Sequence, residues 1–164
     1  MYNYRINTYL KIIFFISLIS IISAFFIEYI LGHQPCNLCL IERIPYMLSI
    51  ILIVLNYFLK KIEKFIILLL ILIFSFSIII SIYHFGIEQS FFKESTVCSM
   101  NNTSDITSKE ELLQQLQIKT TSCKDVTFKI FGFSLTTFNI LISLILTFFL
   151  TKIFKNYEKL KKQN

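Results

Sequence analysis

Four long apolar segments dominate the chain and restrict what it can fold into. They cover about residues 12–31, 44–59, 65–85 and 131–150 of a sequence that is 55% hydrophobic. A helix needs about 20 apolar residues to cross about 30 Å of hydrocarbon, and within lipid its backbone polar groups must be satisfied internally. The sequence therefore predicts an all-α integral membrane protein, a four-transmembrane-helix bundle that forms a single domain over residues 1–164.

Lysine and arginine indicate how this bundle is oriented. They are concentrated before the first span, between the second and third spans, and after the fourth (Arg5, Lys11, Lys60, Lys61, Lys64, Lys152, Lys155, Lys159, Lys161 and Lys162). Because basic residues favour the cytoplasmic side of a membrane, we expect both termini in the cytoplasm. Loops 32–43 and 86–130 then face outward. The net charge of +6 is thus explained by topology and does not indicate nucleic-acid binding.

Local patterns add detail to this prediction. Pro45 lies near the start of the second span, where the missing N–H of a proline costs little. In the long outer loop, Ser108-Lys-Glu-Glu111 and the overlapping Thr107–Glu110 are typical of a capping box that opens a short helix. Tyrosines fall near the predicted span ends, as an interfacial aromatic belt requires (Tyr9, Tyr29, Tyr46, Tyr57, Tyr83 and Tyr157).

A C-x-x-C motif, Cys36-Asn-Leu-Cys39, lies in the first outer loop, and Arg43 follows four residues later. In a helix these three side chains share one face, and both the positive helix end and the guanidinium stabilise a thiolate. Cys39, one turn from Arg43, is expected to benefit most from that charge. Redox chemistry is the favoured interpretation, with a static disulfide and half of a zinc site as alternatives.

The second cysteine pair, Cys98 and Cys123, lies in the long outer loop. Alone, it would indicate an ordinary structural disulfide. Beside a C-x-x-C on the same face of the membrane, it favours a relay in which disulfides are exchanged between the two pairs. A dithiol must pass on two electrons, and a quinone dissolved in the bilayer is a natural acceptor. That inference rests on the placement of the cysteines and not on a quinone motif.

Polar residues near the outer span ends are further candidates. Glu28 lies about one turn inside the first span, where carboxylates are costly and often functional, although it could simply reach water. His84 and Glu88 have the i, i+4 spacing of a proton-handling pair, with interfacial packing as the alternative. Glu42 is expected to be solvated, and Asn139 is expected to bond a neighbouring helix.

Several of these segments together resemble a known family. Gln34–Arg43, Tyr83–Glu88 and Cys123–Val126, the last continuing through Phe131–Leu135 to Asn139, are similar to the disulfide bond formation protein B (DsbB) family. Its members are inner-membrane thiol:quinone oxidoreductases of Gram-negative bacteria. The resemblance covers essentially the whole chain. One departure is the absence of tryptophan, which is common in the family's loops.

The resemblance implies a disulfide relay with a role for each cysteine. Cys98 would receive the attack of a reduced, periplasmic, thioredoxin-fold oxidase that resembles DsbA. Cys123 would then attack Cys36, and Cys39 would be the thiolate that meets the quinone. Arg43 would line the quinone site.

The same resemblance gives His84 a place near the family's quinone pocket, and we add Glu28 and Glu88 as candidate quinone-site residues. It predicts an enzyme of the inner membrane, a protein-disulfide:quinone oxidoreductase that uses ubiquinone or menaquinone and reoxidises a periplasmic DsbA-like dithiol. The alternative is a non-catalytic membrane protein whose outward cysteines form structural disulfides or bind metal.

Overall fold

Four long helices make up most of the structure. The computed structural model describes residues 2–59, 62–93, 98, 122–124, 129–130 and 132–161. Within these residues the helices are α1 (Tyr2–Tyr29), α2 (Asn37–Phe58), α3 (Glu63–Glu88) and α4 (Leu135–Lys161). Each contains a segment long and apolar enough to cross a membrane. The prediction of an all-α, four-span bundle is confirmed, and the chain is a multi-pass membrane protein.

Helix α2 begins seven residues before the predicted second span, at Asn37 instead of residue 44. Cys36 caps it, since its backbone is extended and its Sγ accepts a hydrogen bond of 3.3 Å from the Cys39 backbone N–H. The C-x-x-C therefore belongs to the first turn of a helix and not to a loop. Pro45 lies inside α2 and not at its start, so the expectation for this residue was wrong.

The earlier start of α2 also changes the position of Tyr46. This residue was expected at a membrane interface, but it lies well inside α2 and is buried. Its hydroxyl donates to Oδ1 of Asn139 on α4 and lies 3.2 Å from Oγ of Ser143. Asn139 Nδ2 in turn donates to Ser81 Oγ on α3, at 2.7 Å. The prediction that Asn139 bonds a neighbouring helix is confirmed, and the contact joins three helices.

The helices do not pack equally against one another. α3 and α4 have the most extensive contact, α2 packs against both α1 and α3, and α1 touches α4 only slightly. An apolar core fills the end of the bundle distant from Cys36 (Leu10, Ile13, Ile66, Ile67, Leu70, Phe74, Leu146, Leu150 and Ile153). The weak contact between α1 and α4 leaves space between them at the end that carries the cysteines.

A short antiparallel hairpin precedes α4. Its strands are β1 (Lys129–Ile130) and β2 (Phe133–Ser134), and Gly132 takes a left-handed conformation with φ 84° in the turn. The hairpin was not predicted, since the fourth apolar segment was expected to begin at residue 131. The short helix predicted after Ser108 lies outside the described residues.

The Tyr46–Asn139 contact leads to a prediction about stability. Tyr46→Phe should lower the free energy of unfolding by about 1 kcal/mol, because it removes the donor to a partly buried amide oxygen between helices. Thermal unfolding in detergent micelles measures the effect. Tyr57→Phe makes the same chemical change at a side chain that is 75% exposed, and it should have little effect. Equal destabilisation by the two substitutions would contradict the prediction.

Candidate redox site

All four cysteines lie at one end of the bundle. Cys36 caps α2, while Cys98 follows α3 and Cys123 precedes α4. Cys98 and Cys123 form a disulfide, and they are only 4% and 3% exposed. Together with Cys36, Leu38 and Ile87 they form one buried apolar cluster, against which Cys39 packs. The structure thus brings together two cysteine pairs that are far apart in the sequence.

The two sulfurs of the C-x-x-C are close enough to react with each other. Both residues are free thiols, and their Sγ atoms are 2.6 Å apart. A disulfide bond is about 2.05 Å long, so only a small side-chain movement separates the dithiol from the disulfide. This pair can therefore open and close without a change in the fold.

The Cys36 thiol lies in an environment that favours the thiolate. It accepts hydrogen bonds from the Cys39 thiol and from the Cys39 backbone N–H, and its Sγ lies 3.5 Å from Nε2 of His84. The Cys39 hydrogen bond and the nearby imidazole outweigh the opposing effect of burial and lower the pKa of Cys36 to about 5. Cys36 is thus a ready nucleophile and a good leaving group.

His84 is held between two helices and is only 1% exposed. Its Nδ1 lies 3.0 Å from Oε1 of Glu42 on α2, while its Nε2 faces Cys36 and lies 3.8 Å from Oε1 of Glu88. Glu42 is 8% exposed, so the expectation that it is solvated was wrong. Its partner lies 42 positions away, and no local pattern in the sequence indicates such a contact.

Thr136, at the start of α4, was also missed by the sequence analysis. Its hydroxyl donates to Oε1 of Glu88 at 2.5 Å and lies 3.3 Å from Nδ1 of His84. The second carboxylate oxygen of Glu88, Oε2, is buried and has no hydrogen-bond partner among the described residues. α2, α3 and α4 therefore each contribute a polar side chain to one buried group around His84.

Arg43 binds Glu28 on α1. The guanidinium Nη1 is 2.5 Å from Oε2 of Glu28, and the guanidinium carbon lies 5.2 Å from the centre of the Phe25 ring. Both charged side chains are largely buried. The charge of Arg43, which was expected to act chiefly on Cys39, is thus neutralised in part by an acidic residue of the neighbouring helix.

A cavity of about 350 Å³ connects these groups. Cys36, Cys39 and Cys123 line it together with the charged side chains described above. Its apolar walls come mainly from α1 and α4, which touch each other only slightly, and include Ala24 and Phe138. Among the sequence-predicted candidates, only Cys98 lies outside the lining.

The ion pair between Arg43 and Glu28 leads to a second prediction. Glu28→Gln and Arg43→Gln should each destabilise the protein, since each leaves one charge without its partner in a largely buried place. The double variant should recover about 1 kcal/mol relative to the sum of the single effects. Denaturant titration in mixed micelles measures all three. As a control, Glu28→Gln is combined with Lys64→Met at the opposite end of the bundle, and the two changes in unfolding free energy should add. If the effects of Glu28→Gln and Arg43→Gln also simply add, the ion pair is refuted.

Comparisons with known proteins agree with this geometry. The family model described as disulfide bond formation protein DsbB matches residues 7–153, a range that includes all four cysteines. An uncharacterised protein of Rickettsia prowazekii (strain Madrid E), RP370, is 31% identical over 137 residues, which is 82% of this chain and 80% of that protein. No solved structure matches the chain. With four spanning helices and two adjoining cysteine pairs, the chain belongs to the DsbB family of disulfide-generating membrane oxidoreductases.

Proposed function

We propose that the protein reoxidises a periplasmic DsbA-like dithiol and passes the electrons through its two cysteine pairs to a membrane quinone. The observation that carries this proposal is the shared cluster of the Cys98–Cys123 disulfide and Cys36, beside the cavity that Cys39 lines. Cys98 and Cys123 belong to the segment between α3 and α4, and Cys36 and Cys39 line the cavity, which is the arrangement that a two-step relay requires.

The relay consists of thiol–disulfide exchanges that conserve atoms and electrons. A thiolate of the partner attacks Cys98, which breaks the Cys98–Cys123 bond and forms a mixed disulfide. The released Cys123 thiolate attacks Cys36 of a Cys36–Cys39 disulfide, and Cys39 leaves as a thiolate. Each step forms one S–S bond, breaks another and moves an electron pair to the leaving sulfur. Because Cys98 is only 4% exposed, docking of the partner must uncover it.

The cavity fits a quinone in size and chemistry. Small-molecule sites typically have volumes of about 300–1,000 Å³ and apolar walls with a few polar groups, and this cavity of about 350 Å³ has both features. Arg43 and His84 can bind carbonyl oxygens of the ring, and Glu28 orients Arg43. The partnerless Oε2 of Glu88 is available to a ligand hydroxyl. A bound ubiquinone or menaquinone would supply the acceptor for two electrons and two protons.

The proposed orientation places the cysteine end of the bundle in the periplasm and both termini in the cytoplasm. Lys64 in the first turn of α3 and Lys152 and Lys155 towards the end of α4 support it, since they lie at the opposite end of the bundle from Cys36. Disulfides persist in oxidising compartments such as the periplasm. The location that follows is the inner membrane of a bacterium.

A second candidate function rests on Cys36, Cys39 and His84, whose ligand atoms lie within 4.8 Å of one another and could hold a metal ion. Tetrahedral zinc with Zn–S bonds of about 2.3 Å needs its sulfurs about 3.7 Å apart. The observed 2.6 Å favours disulfide chemistry instead. Metal analysis of the purified protein distinguishes the two: stoichiometric zinc with no thiol turnover would support the metal site.

The relay predicts different defects for different cysteines. With a reduced DsbA-like protein as electron donor, Cys39→Ser and Cys98→Ser should both abolish quinone reduction by the purified protein. With dithiothreitol, a small dithiol that can enter the cavity lined by Cys36 and Cys39, Cys98→Ser should retain quinone reduction while Cys39→Ser should not. Absorbance of the quinone follows both reactions. Loss of both activities in Cys98→Ser, or quinone reduction by Cys39→Ser, would contradict the order of the relay.

The cavity predicts a steric defect in quinone binding. Ala24→Phe places a ring in the cavity and should raise KM for the quinone about tenfold, because losing about 1.4 kcal/mol of binding corresponds to that factor. Formation of the mixed disulfide with the partner should be unchanged. Ile22→Phe, on a position of α1 that is 57% exposed, is the matched control. An unaltered KM in Ala24→Phe would place the quinone elsewhere.

A further inference from the structure

We propose that Cys36, His84 and Glu42 form a buried hydrogen-bonded triad, in which His84 takes the proton of the Cys36 thiol and Glu42 is the positioning residue that fixes the imidazole. The inference rests on the proposed function, in which the attack of Cys123 joins it to Cys36, so that Cys36 must later leave this mixed disulfide as a thiolate. It assigns a role to Glu42 and gives His84 a partner on the protein in addition to any contact with quinone.

The contacts of His84 determine which ring nitrogen carries the proton. Nδ1 lies 3.0 Å from Oε1 of Glu42, and an ionised carboxylate can only accept a hydrogen bond. In neutral His84 the proton therefore belongs on Nδ1. The lone pair of Nε2 is then directed at the Cys36 sulfur, 3.5 Å away, which is the geometry of a thiol and its base.

Other groups that face the imidazole do not replace Glu42. The Thr136 hydroxyl lies 3.3 Å from Nδ1, but it donates its own proton to Glu88 at 2.5 Å, and Glu42 is both closer and negatively charged. Glu88 Oε1 is 3.8 Å from Nε2, beyond hydrogen-bond length but close enough to stabilise a positive ring. Sγ of Cys39 lies 2.6 Å from the Cys36 sulfur and contacts that sulfur instead of the imidazole.

Burial makes a protein base necessary at this place. Cys36, His84 and Glu42 are each less than 9% exposed, so bulk water has little access to the thiol. An unpaired thiolate in such a place would be strongly disfavoured by desolvation. The lowered pKa of Cys36, about 5, agrees with a neighbouring group that accepts the proton and stays beside the charge.

The proton transfer is separate from electron transfer. The S–H bond of Cys36 breaks, an N–H bond forms at Nε2 of His84, and the electron pair remains on sulfur, so nothing is oxidised. The resulting thiolate can attack a disulfide sulfur. In the reverse sense, the charged imidazole stabilises Cys36 when it leaves a mixed disulfide with Cys123. Glu42 acts through His84 in both directions.

Alkylation of Cys36 tests the triad without quinone or protein partner. The reduced full-length protein in detergent is treated with iodoacetamide over a range of pH, and mass spectrometry of the Cys36 peptide gives the rate. In the native sequence the rate should be half-maximal near pH 5. Glu42→Gln and His84→Gln should each move this midpoint upward by about one pH unit or more, which is about a tenfold lower rate at low pH.

Two further variants separate charge from structure. Glu42→Asp retains a carboxylate and should recover part of the native profile, which a general loss of packing would not allow. Glu63→Gln makes the same chemical change at the start of α3, whereas His84 lies near the end of that helix. It should leave the pH profile of Cys36 alkylation unchanged.

Each outcome decides a separate point. If alkylation of Cys36 in the native sequence has its midpoint at about pH 8.5, the ordinary pKa of a thiol, the triad is overturned without any variant. A shift in His84→Gln but not in Glu42→Gln would overturn the role of Glu42 alone. If quinone reduction is normal and the variants do not shift the pH profile of alkylation, the triad is refuted and the proposed function stands. Shifted profiles without any quinone reduction would refute the proposed function and support the triad.

Discussion

The hydrogen bond between Glu42 on α2 and His84 on α3 is the interaction on which the geometry of the site depends. A carboxylate inside a membrane-spanning helix is costly unless it has a partner. The pairing therefore fixes the rotation of α2 against α3, with Nδ1 of His84 3.0 Å from Glu42. The same rotation places Cys36, at the start of α2, beside the other imidazole nitrogen. Removing this contact would separate the C-x-x-C from the imidazole next to it.

Polar contacts also determine the register of the remaining helices. Apolar side chains provide little preference in lipid, because the lipid tails are as apolar as the side chains. Tyr46, Asn139 and Ser81 join α2, α4 and α3 by specific hydrogen bonds just below the site. Thr136, one turn before Asn139 on α4, then reaches Glu88 and His84. The hydrogen bonds that order the bundle thus continue into those that order the site.

The parts of this structure that could be predicted from the sequence are those with a local signal. Hydropathy indicated the four spans, and the cysteine spacing indicated the redox pair. The predicted start of α2 was wrong because the helix cap at Cys36 depends on one sulfur contact, which hydropathy does not detect. Glu42 and Thr136 were missed because their partners lie 42 and 48 or more positions away. Long-range pairing of polar side chains has no periodicity that a single sequence displays.

The different surroundings of Cys36 and Cys39 give the C-x-x-C a direction. Two identical thiols in identical surroundings would exchange electrons equally well either way. Both cysteines line the cavity, but Cys36 belongs to the buried cluster with Cys98 and Cys123 and lies beside His84, whereas Cys39 follows one turn later in α2 and only packs against that cluster. A sulfur whose thiolate is stabilised leaves a disulfide readily and is readily regenerated. In the proposed relay, the asymmetry that the Glu42–His84 pair creates at Cys36 would distinguish the cysteine that receives electrons from the loop pair from the cysteine that delivers them to the quinone.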